Sequence, residues 1–332
     1  MTIPETMQAL QVADLAPDFA GCGVAEIPVP EPGPGEALIK VHAAALGFPD
    51  LLMTEGKYQH RPDLPFVPGN DIAGEIVALG GESGSFVVGD AVVATLGTGG
   101  FAQYAICPVA ALRPKPKGMA FDAAAAFGVA YLTAWVALVR RATLQPAEWV
   151  LVHGAAGGVG LAAVDLAKAL GARVIAASAS DDKLAIVAEN YAPDACLNVT
   201  DGFRERVKDI THGGADVIYD PVGGDIFDES TRCIAFGGRL LVVGFASGRI
   251  ATVPTNIPLI KGFSVVGVRA GEYGRRHPER GEENFDAIWA LAEARRLKPR
   301  VHAALPLSDW RDAFEMMRTR KVVGRVVIAP GG

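Results

Sequence analysis

The stretch Trp149-Val150-Leu151-Val152-His153-Gly154-Ala155-Ala156-Gly157-Gly158-Val159-Gly160 decides the fold of this chain. Its first four residues are an unbroken apolar run, the pattern of a strand buried on both faces. A glycine-rich turn follows, then an Ala/Leu-rich helix over 161–170 and a second apolar strand over 172–177. Strand, small-residue turn, helix and strand make a βαβ unit that can cradle a pyrophosphate. The backbone can approach closely, and the helix start offers free N–H groups and the positive end of its dipole. In fingerprint register Ala155, Gly157 and Gly160 fill the three glycine positions, the first already a substitution. Ala156, Gly157, Gly158 and Val159 are the expected pyrophosphate contacts.

Working downstream, the alternation continues: strands over 195–198, 216–219, 238–243 and 263–268, with helices over 182–190, 203–211 and 227–233. That spacing predicts an α/β domain, a doubly wound parallel sheet of Rossmann type. An alanine-rich helix over 121–142 leads into it. Before residue 118 the texture differs. Strand-like runs over 37–44, 71–79 and 90–94 are broken by Gly and Pro over 28–35 and 80–84. This predicts an antiparallel, barrel-like β domain. After residue 268 come helices over 283–296 and 310–318 and a last strand over 324–329.

At 332 residues, half hydrophobic and one fifth charged, the chain can bury a large core. Its 31 basic and 37 acidic residues leave a net charge of −6, with no basic block to bind nucleic acid or an anionic membrane. Cys22, Cys107, Cys196 and Cys233 show no paired spacing, so neither a disulfide framework nor a clustered metal site follows. The first residues carry no secretory pattern. The apolar run over 123–139 is short for a membrane span and contains Tyr131, Thr133 and Trp135. The expectation is a soluble, cytoplasmic protein.

The strand after the turn sets the dinucleotide preference. An NAD site places an acid at its end to hold the adenosine ribose hydroxyls. Here Ser178 stands at that place. A carboxylate there would repel a 2′-phosphate, whereas Ser178, Ser180 and Lys183 can donate to one. NADPH is therefore expected over NADH. Asp181 and Asp182 read as helix-capping residues.

With these features in place, the chain resembles the medium-chain dehydrogenase/reductase superfamily, and within it the zinc-independent quinone oxidoreductases of zeta-crystallin type. The carriers span the chain: Pro32 to Glu36; Gly47-Phe48-Pro49-Asp50 with Gly56-Lys57-Tyr58; Leu64 to Gly74; the turn Ala155 to Gly160; Asp220-Pro221-Val222-Gly223-Gly224; and Gly324-Arg325-Val326-Val327. The resemblance implies a GroES-like substrate domain from both chain ends (1–126 and 269–332) around an inserted Rossmann domain (127–268). It also implies a homodimer and an oxidoreductase that takes hydride from NADPH to a small-molecule quinone. The alternatives are a reductase of activated alkenes such as enones or alkenals, and a non-enzymatic NADPH-binding protein of crystallin or sensor type.

Zinc-dependent members hold a catalytic metal with Cys and His from the substrate domain. Gly47 stands at the cysteine position and Asn70 at the histidine position. No cysteine lies between 110 and 191 to supply a third thiolate, and the four-cysteine structural lobe is missing. Tetrahedral zinc needs three or four N/S donors, so zinc is not expected, and the resemblance implies direct hydride transfer without flavin. Without a Lewis acid, a conjugated acceptor that spreads the incoming charge over oxygen suits the site better than a simple carbonyl.

Resemblance supplies the remaining site residues. Asn70, Tyr131 and Thr133 are the catalytic candidates, and Phe48, Thr133 and Phe245-Ala246-Ser247 would line the nicotinamide pocket. Each has a plainer reading: Asn70 as a turn stabiliser, Tyr131 as core-filling aromatic, Thr133 as a helix hydroxyl bonded to its own backbone. Asp220 and Val222 fall in a loop that passes the riboses, or simply make a tight turn. Asn198 matches an adenosine-end position, followed by Val199 where a Tyr is usual. Arg325 is also expected at the cofactor. The six histidines form no ligand-like pair.

Overall fold

The computed structural model describes residues 3–81 and 84–331. It divides into two compact units: one runs to Val129 and resumes at Pro299, the other is Ala130–Lys298.

The first unit begins with a hairpin-like pair, β1 (Thr6–Val12) and β2 (Cys22–Pro28). The long strand β3 (Glu36–Leu46) follows, then α1 (Phe48–Thr54), β4 (Asp71–Leu79), β5 (Ala91–Thr95), β6 (Tyr104–Pro108) and β7 (Leu112–Pro114). β3 organises this unit. It pairs antiparallel with β4 and β6 and carries Leu38, Ile39, Val41, Ala44 and Leu46 into the core. The helix α2 (Phe121–Trp135) contains the boundary between the units.

In the second unit the strands β8 (Trp149–Val152), β9 (Arg173–Ser178), β10 (Ala195–Asn198), β11 (Ala215–Asp220), β12 (Ile234–Val242) and β13 (Ser264–Gly267) are all parallel. Their order is β10-β9-β8-β11-β12-β13. The chain fills one half from β8 outward, then returns to β11 and fills the other. This is the doubly wound order, with its switch point between β8 and β11. Between strands run α3 (Gly158–Ala169), α4 (Asp181–Tyr191), α5 (Arg204–Thr211), α6 (Gly224–Ser230) and α7 (Asn256–Lys261), followed by α8 (Ala270–Arg276) and α9 (Pro278–Glu293). Leu151, Ile175, Ile218 and Leu240 lie fully buried in the sheet, as the unbroken apolar runs require.

The chain then re-enters the first unit with β14 (Val301–Pro306), α10 (Trp310–Arg318) and β15 (Arg325–Ala329). The sheet there reads β14-β15-β3-β4-β5-β7, with β6 on β3. α10 seats Phe314 against Phe19, Phe101 and Trp310, ring centroids 5.1, 6.1 and 5.5 Å away, all edge-on.

Three expectations need correction. The inserted unit ends at Lys298 rather than 268, because α9 is fastened to it: Arg140 donates to Asn284 (2.7 Å) and pairs with Glu283, while Ile288 and Ala292 are buried. The strands before residue 118 pair antiparallel as expected, while β14 and β15, from the far end of the chain, add one parallel pair. The helix expected over 121–142 loses α geometry after Trp135 and continues as π-helix over Val136–Arg141. Taken together, Phe121–Arg141 is long and apolar enough to cross a bilayer, contrary to the shorter run read from sequence. It is a core element here, with Phe127, Ala134, Val136, Ala137 and Leu138 fully buried.

Candidate functional site

The glycine turn leaves β8 and opens α3 with Gly157 as the N-cap, which has no side chain to cap the helix. The first N–H groups of α3 therefore have no intrahelical acceptor and no side-chain cap from Gly157, and they point outward as a helix start presents them to an anion. The two later fingerprint glycines differ physically. A Cβ on Gly160 would lie 2.2 Å from the Gly154 carbonyl oxygen, so helix and turn touch backbone to backbone there. A Cβ on Gly157 would meet nothing closer than 3.4 Å, and this residue is exposed.

Beside this turn stand two loops from the neighbouring strands. Gly154 faces Pro221 and Val222, and the loop after β11 is laced to the loop after β12: Ala246 N–H donates to Pro221 O (3.0 Å) and Ser247 N–H to Val222 O (2.9 Å). Gly223 and Gly224 have φ of 70° and 60°, which glycine adopts freely, and a Cβ on Gly224 would strike Ser247 Oγ at 2.7 Å. Asp220 is buried. Its Oδ1 accepts from the N–H groups of Val222 (2.8 Å) and Gly223 (2.9 Å), so the carboxylate holds this turn. Burial raises its pKa against those two donors. The tight-turn reading of Asp220 is the one its bonds describe. Phe245, in the loop after β12, is 44% exposed.

At the other side of the switch point, Ser178 ends β9 with Asn198 of β10 beside it in register. Ser180 caps α4, its Oγ accepting from Lys183 N–H (3.4 Å) while its own proton stays available. The Asn198 amide is engaged in bonds with Asp181 (2.8 Å), Thr200 N–H (3.0 Å) and Thr200 Oγ1 (2.8 Å). The structure adds a cation that sequence reasoning missed: Arg206 donates to the carbonyl oxygens of Asn198 and Gly202. Nothing in the local sequence marks it, because α5 approaches β10 only in the fold. The turn over 154–160, the loops after β11 and β12, and the pair Ser178–Asn198 thus all lie at the carboxyl ends of the parallel strands, where open α/β sheets bind ligands.

Tyr131 is not at this surface. It is 3% exposed, and its hydroxyl donates to Asp165 Oδ2 (2.6 Å), an oxygen that also accepts Lys298 N–H (2.6 Å). Burial and the Asp165 charge raise its pKa further. As a proton donor it is corrected to a core tether. Thr133 is half-buried on α2, and its hydroxyl makes no bond to a described residue. His153, between β8 and the turn, is a neutral core residue; burial lowers its pKa to about 3, and its Nε2 meets Ser230 Oγ at 2.9 Å.

In the first unit, Phe48 opens α1 and is 48% exposed. The backbone of Asn70 is tied by its carbonyl to Leu96 N–H (2.6 Å), whereas its side-chain amide bonds no described residue. Arg325 corrects the expectation of a cofactor contact. It is 7% exposed on β15, its Nη2 paired with Asp71 Oδ2 (3.0 Å) and with Ala45 O (3.3 Å). A cation so buried is committed to its own unit. Among the described residues no group of three or more His, Cys, Asp or Glu could hold a metal ion. Gly47 and Asn70 offer no thiolate or imidazole, so the donor set does not fit zinc.

Comparison with known proteins agrees with this layout. The family model described as alcohol dehydrogenase GroES-like domain matches residues 33–117, and the one described as zinc-binding dehydrogenase matches 158–289. A quinone oxidoreductase-like protein 2 homolog of Nematostella vectensis is 40% identical over 300 residues, covering 89% of this chain and 82% of that protein. Human quinone oxidoreductase is 32% identical, with 87% of each chain covered. Among solved structures, the quinone oxidoreductase of Thermus thermophilus, determined alone and with NADPH, superposes with a TM-score of 0.85 at 32% identity over 97% of this chain and 100% of that one.

Proposed function

Since this chain belongs to the quinone oxidoreductase-like medium-chain dehydrogenase/reductases, we propose that it is an NADPH-dependent, metal-independent reductase of quinones. The observation that carries the reading is the uncapped start of α3 behind the close-packed Gly154–Gly160 contact, a cradle shaped for a pyrophosphate. Bound NADPH supplies the hydride; the residues of this chain bind, orient and exclude. The N–H groups at the start of α3 receive the pyrophosphate. Ser178, Ser180, Lys183 and Arg206 face the 2′-phosphate with donors; the strand end carries Ser178 in place of an acid, and the nearby Asp181 is engaged by the Asn198 amide. Asn70, its amide unspent, hydrogen-bonds an acceptor oxygen as negative charge gathers there. A quinone asks little more, because it delocalises that charge itself.

A homodimer and a cytoplasmic location belong to the same proposal. The dimer is supported by β13, one of the two edges of the parallel sheet (β10 is the other), flanked by Phe236 (89% exposed), Leu259 (81%) and Ile260 (73%). Unpaired strand edges with apolar neighbours invite a second strand. The test of function is NADPH and NADH oxidation against panels of quinones and enones. Quinone turnover with NADPH preferred is expected. Turnover with enones alone moves the substrate class, and dinucleotide binding without any turnover makes the protein a sensor rather than an enzyme.

A further inference from the structure

One buried carboxylate in the first unit is unused by the reading above. Asp50, Asp71 and Arg325 lie together there at 1%, 4% and 7% exposure. Asp71 Oδ2 pairs directly with Arg325 Nη2 at 3.0 Å, with Thr95 Oγ1 adding a weak bond to Asp71 Oδ1 at 3.4 Å. Asp50 does not bond the guanidinium. Its Oδ2 accepts Gly47 N–H at 2.7 Å and its Oδ1 accepts Gly69 N–H at 3.0 Å. The first bond is ordinary: the third residue of a helix often reaches back to the N-cap amide. The second is not part of any cap, for Gly69 lies 19 residues on, in the segment between α1 and β4.

Interring a carboxylate is costly, and an apolar side chain would serve the core as well. What the carboxylate alone provides is one rigid group with two acceptor atoms, each gripping a different segment. Gly47 is followed directly by Phe48, and Gly69 by Asn70. In zinc-dependent members the positions of Gly47 and Asn70 are held together by a shared metal. Here a carboxylate joins Gly47 to the neighbour of Asn70. The missing side chain at 47 is part of the same arrangement. A Cβ there would sit 3.2 Å from Asp50 Oδ2 and 3.7 Å from Arg325 Nη2, pressing on the group that closes the link.

We propose that Asp50 is a positioning residue, a carboxylate brace between Gly47 and Gly69 that sets Phe48 and Asn70 for the acceptor. The assignment rests on the proposed quinone reduction for its kinetic consequence, but the brace itself is visible in the backbone amides. Asp50→Asn retains the size and one acceptor and turns an NH2 toward the other amide. The holoenzyme variant should lose amide-exchange protection by about tenfold at whichever of Gly47 and Gly69 faces the NH2, and the quinone KM should rise about tenfold, since small misplacements near reacting groups are amplified. NADPH Kd, set in the other unit, should stay within about twofold. Gly47→Ala, whose backbone (φ −112°, ψ 159°) suits alanine, should shift the same quantities less and guards against a misfolded Asn variant. Unchanged protection at both amides, or lost protection with an unchanged quinone KM in both variants, overturns the proposal. If the unmodified protein binds NADPH but reduces no acceptor, it is the proposed function that falls, and the brace is then decided by amide exchange alone.

Discussion

Gly157 and Gly160 occupy equivalent-looking places in a sequence fingerprint, yet their surroundings forecast opposite failures on substitution by alanine. At Gly160 the new methyl would lie 2.2 Å from Gly154 O and 2.8 Å from Gly154 C, both backbone atoms with no rotamer to yield. Relief requires turn and helix to part by about 1 Å, an overpacking strain of about 1–3 kcal/mol. The better helix propensity of alanine returns up to about 1 kcal/mol. A net loss of about 1–2 kcal/mol should lower Tm by a few degrees, about 2–4 °C per kcal/mol for domains of this size. At Gly157 the methyl meets only Gly154 O at 3.4 Å, with φ −78° and ψ 166° that alanine accepts. Stability should be unchanged there, while the methyl stands where the pyrophosphate must approach and should weaken NADPH about tenfold, or 1.4 kcal/mol. Thermal unfolding and fluorescence titration with NADPH read the two effects separately. A Gly160→Ala protein as stable as the parent would refute the close-packing argument. A Gly157→Ala protein that binds NADPH normally would refute the cradle.

Three further outcomes follow from named groups. Ser178→Asp places a carboxylate at the end of β9 and should cut NADPH affinity about tenfold or more while sparing NADH, so an unmoved NADPH/NADH ratio would exclude this strand end as the 2′-phosphate site. Tyr131→Phe removes a buried bond to Asp165 and should cost about 1–3 kcal/mol in urea unfolding with kcat intact; lost turnover at full stability would restore Tyr131 as the proton donor. Burial raises the Asp50 pKa from 3.8 to about 7, countered by the Gly47 and Gly69 amides. Between those values the folded state keeps a proton that the unfolded chain has released, so stability falls as pH rises from 4 to 7. Asp50→Asn abolishes this contribution, and the stability advantage of the parent over it should shrink by about 4 kcal/mol from below pH 4 to above pH 7. A constant difference across that range would contradict the raised pKa.

The parallel sheet was legible because strands buried on both faces must be apolar at their centres, as β8, Val174–Ala177 of β9 and Val217–Tyr219 of β11 are. β2 escaped notice because most of it is exposed and it packs through only a few positions. α1 has seven residues with Pro49 near its start, too short for a periodic signal. The dinucleotide half of the candidate site was readable for the same reason its chemistry is simple: small residues and a helix start are local features. Asp50 and Asp165 were not readable. Their partners lie 19 and 133 residues away, so a charged residue in sequence gives no sign that folding will bury it. Arg325 misled in the opposite direction, since its burial against Asp71 across 254 residues exists only in the fold.

The central claim is that this chain passes hydride from NADPH to a quinone with its own residues and no metal ion. Its most direct measurement is the quinone-dependent oxidation of NADPH deuterated at the reactive C4 position, before and after exhaustive chelation. A primary isotope effect and an unaltered rate after chelation are expected. Activity that vanishes with the chelator and returns with zinc would contradict the account.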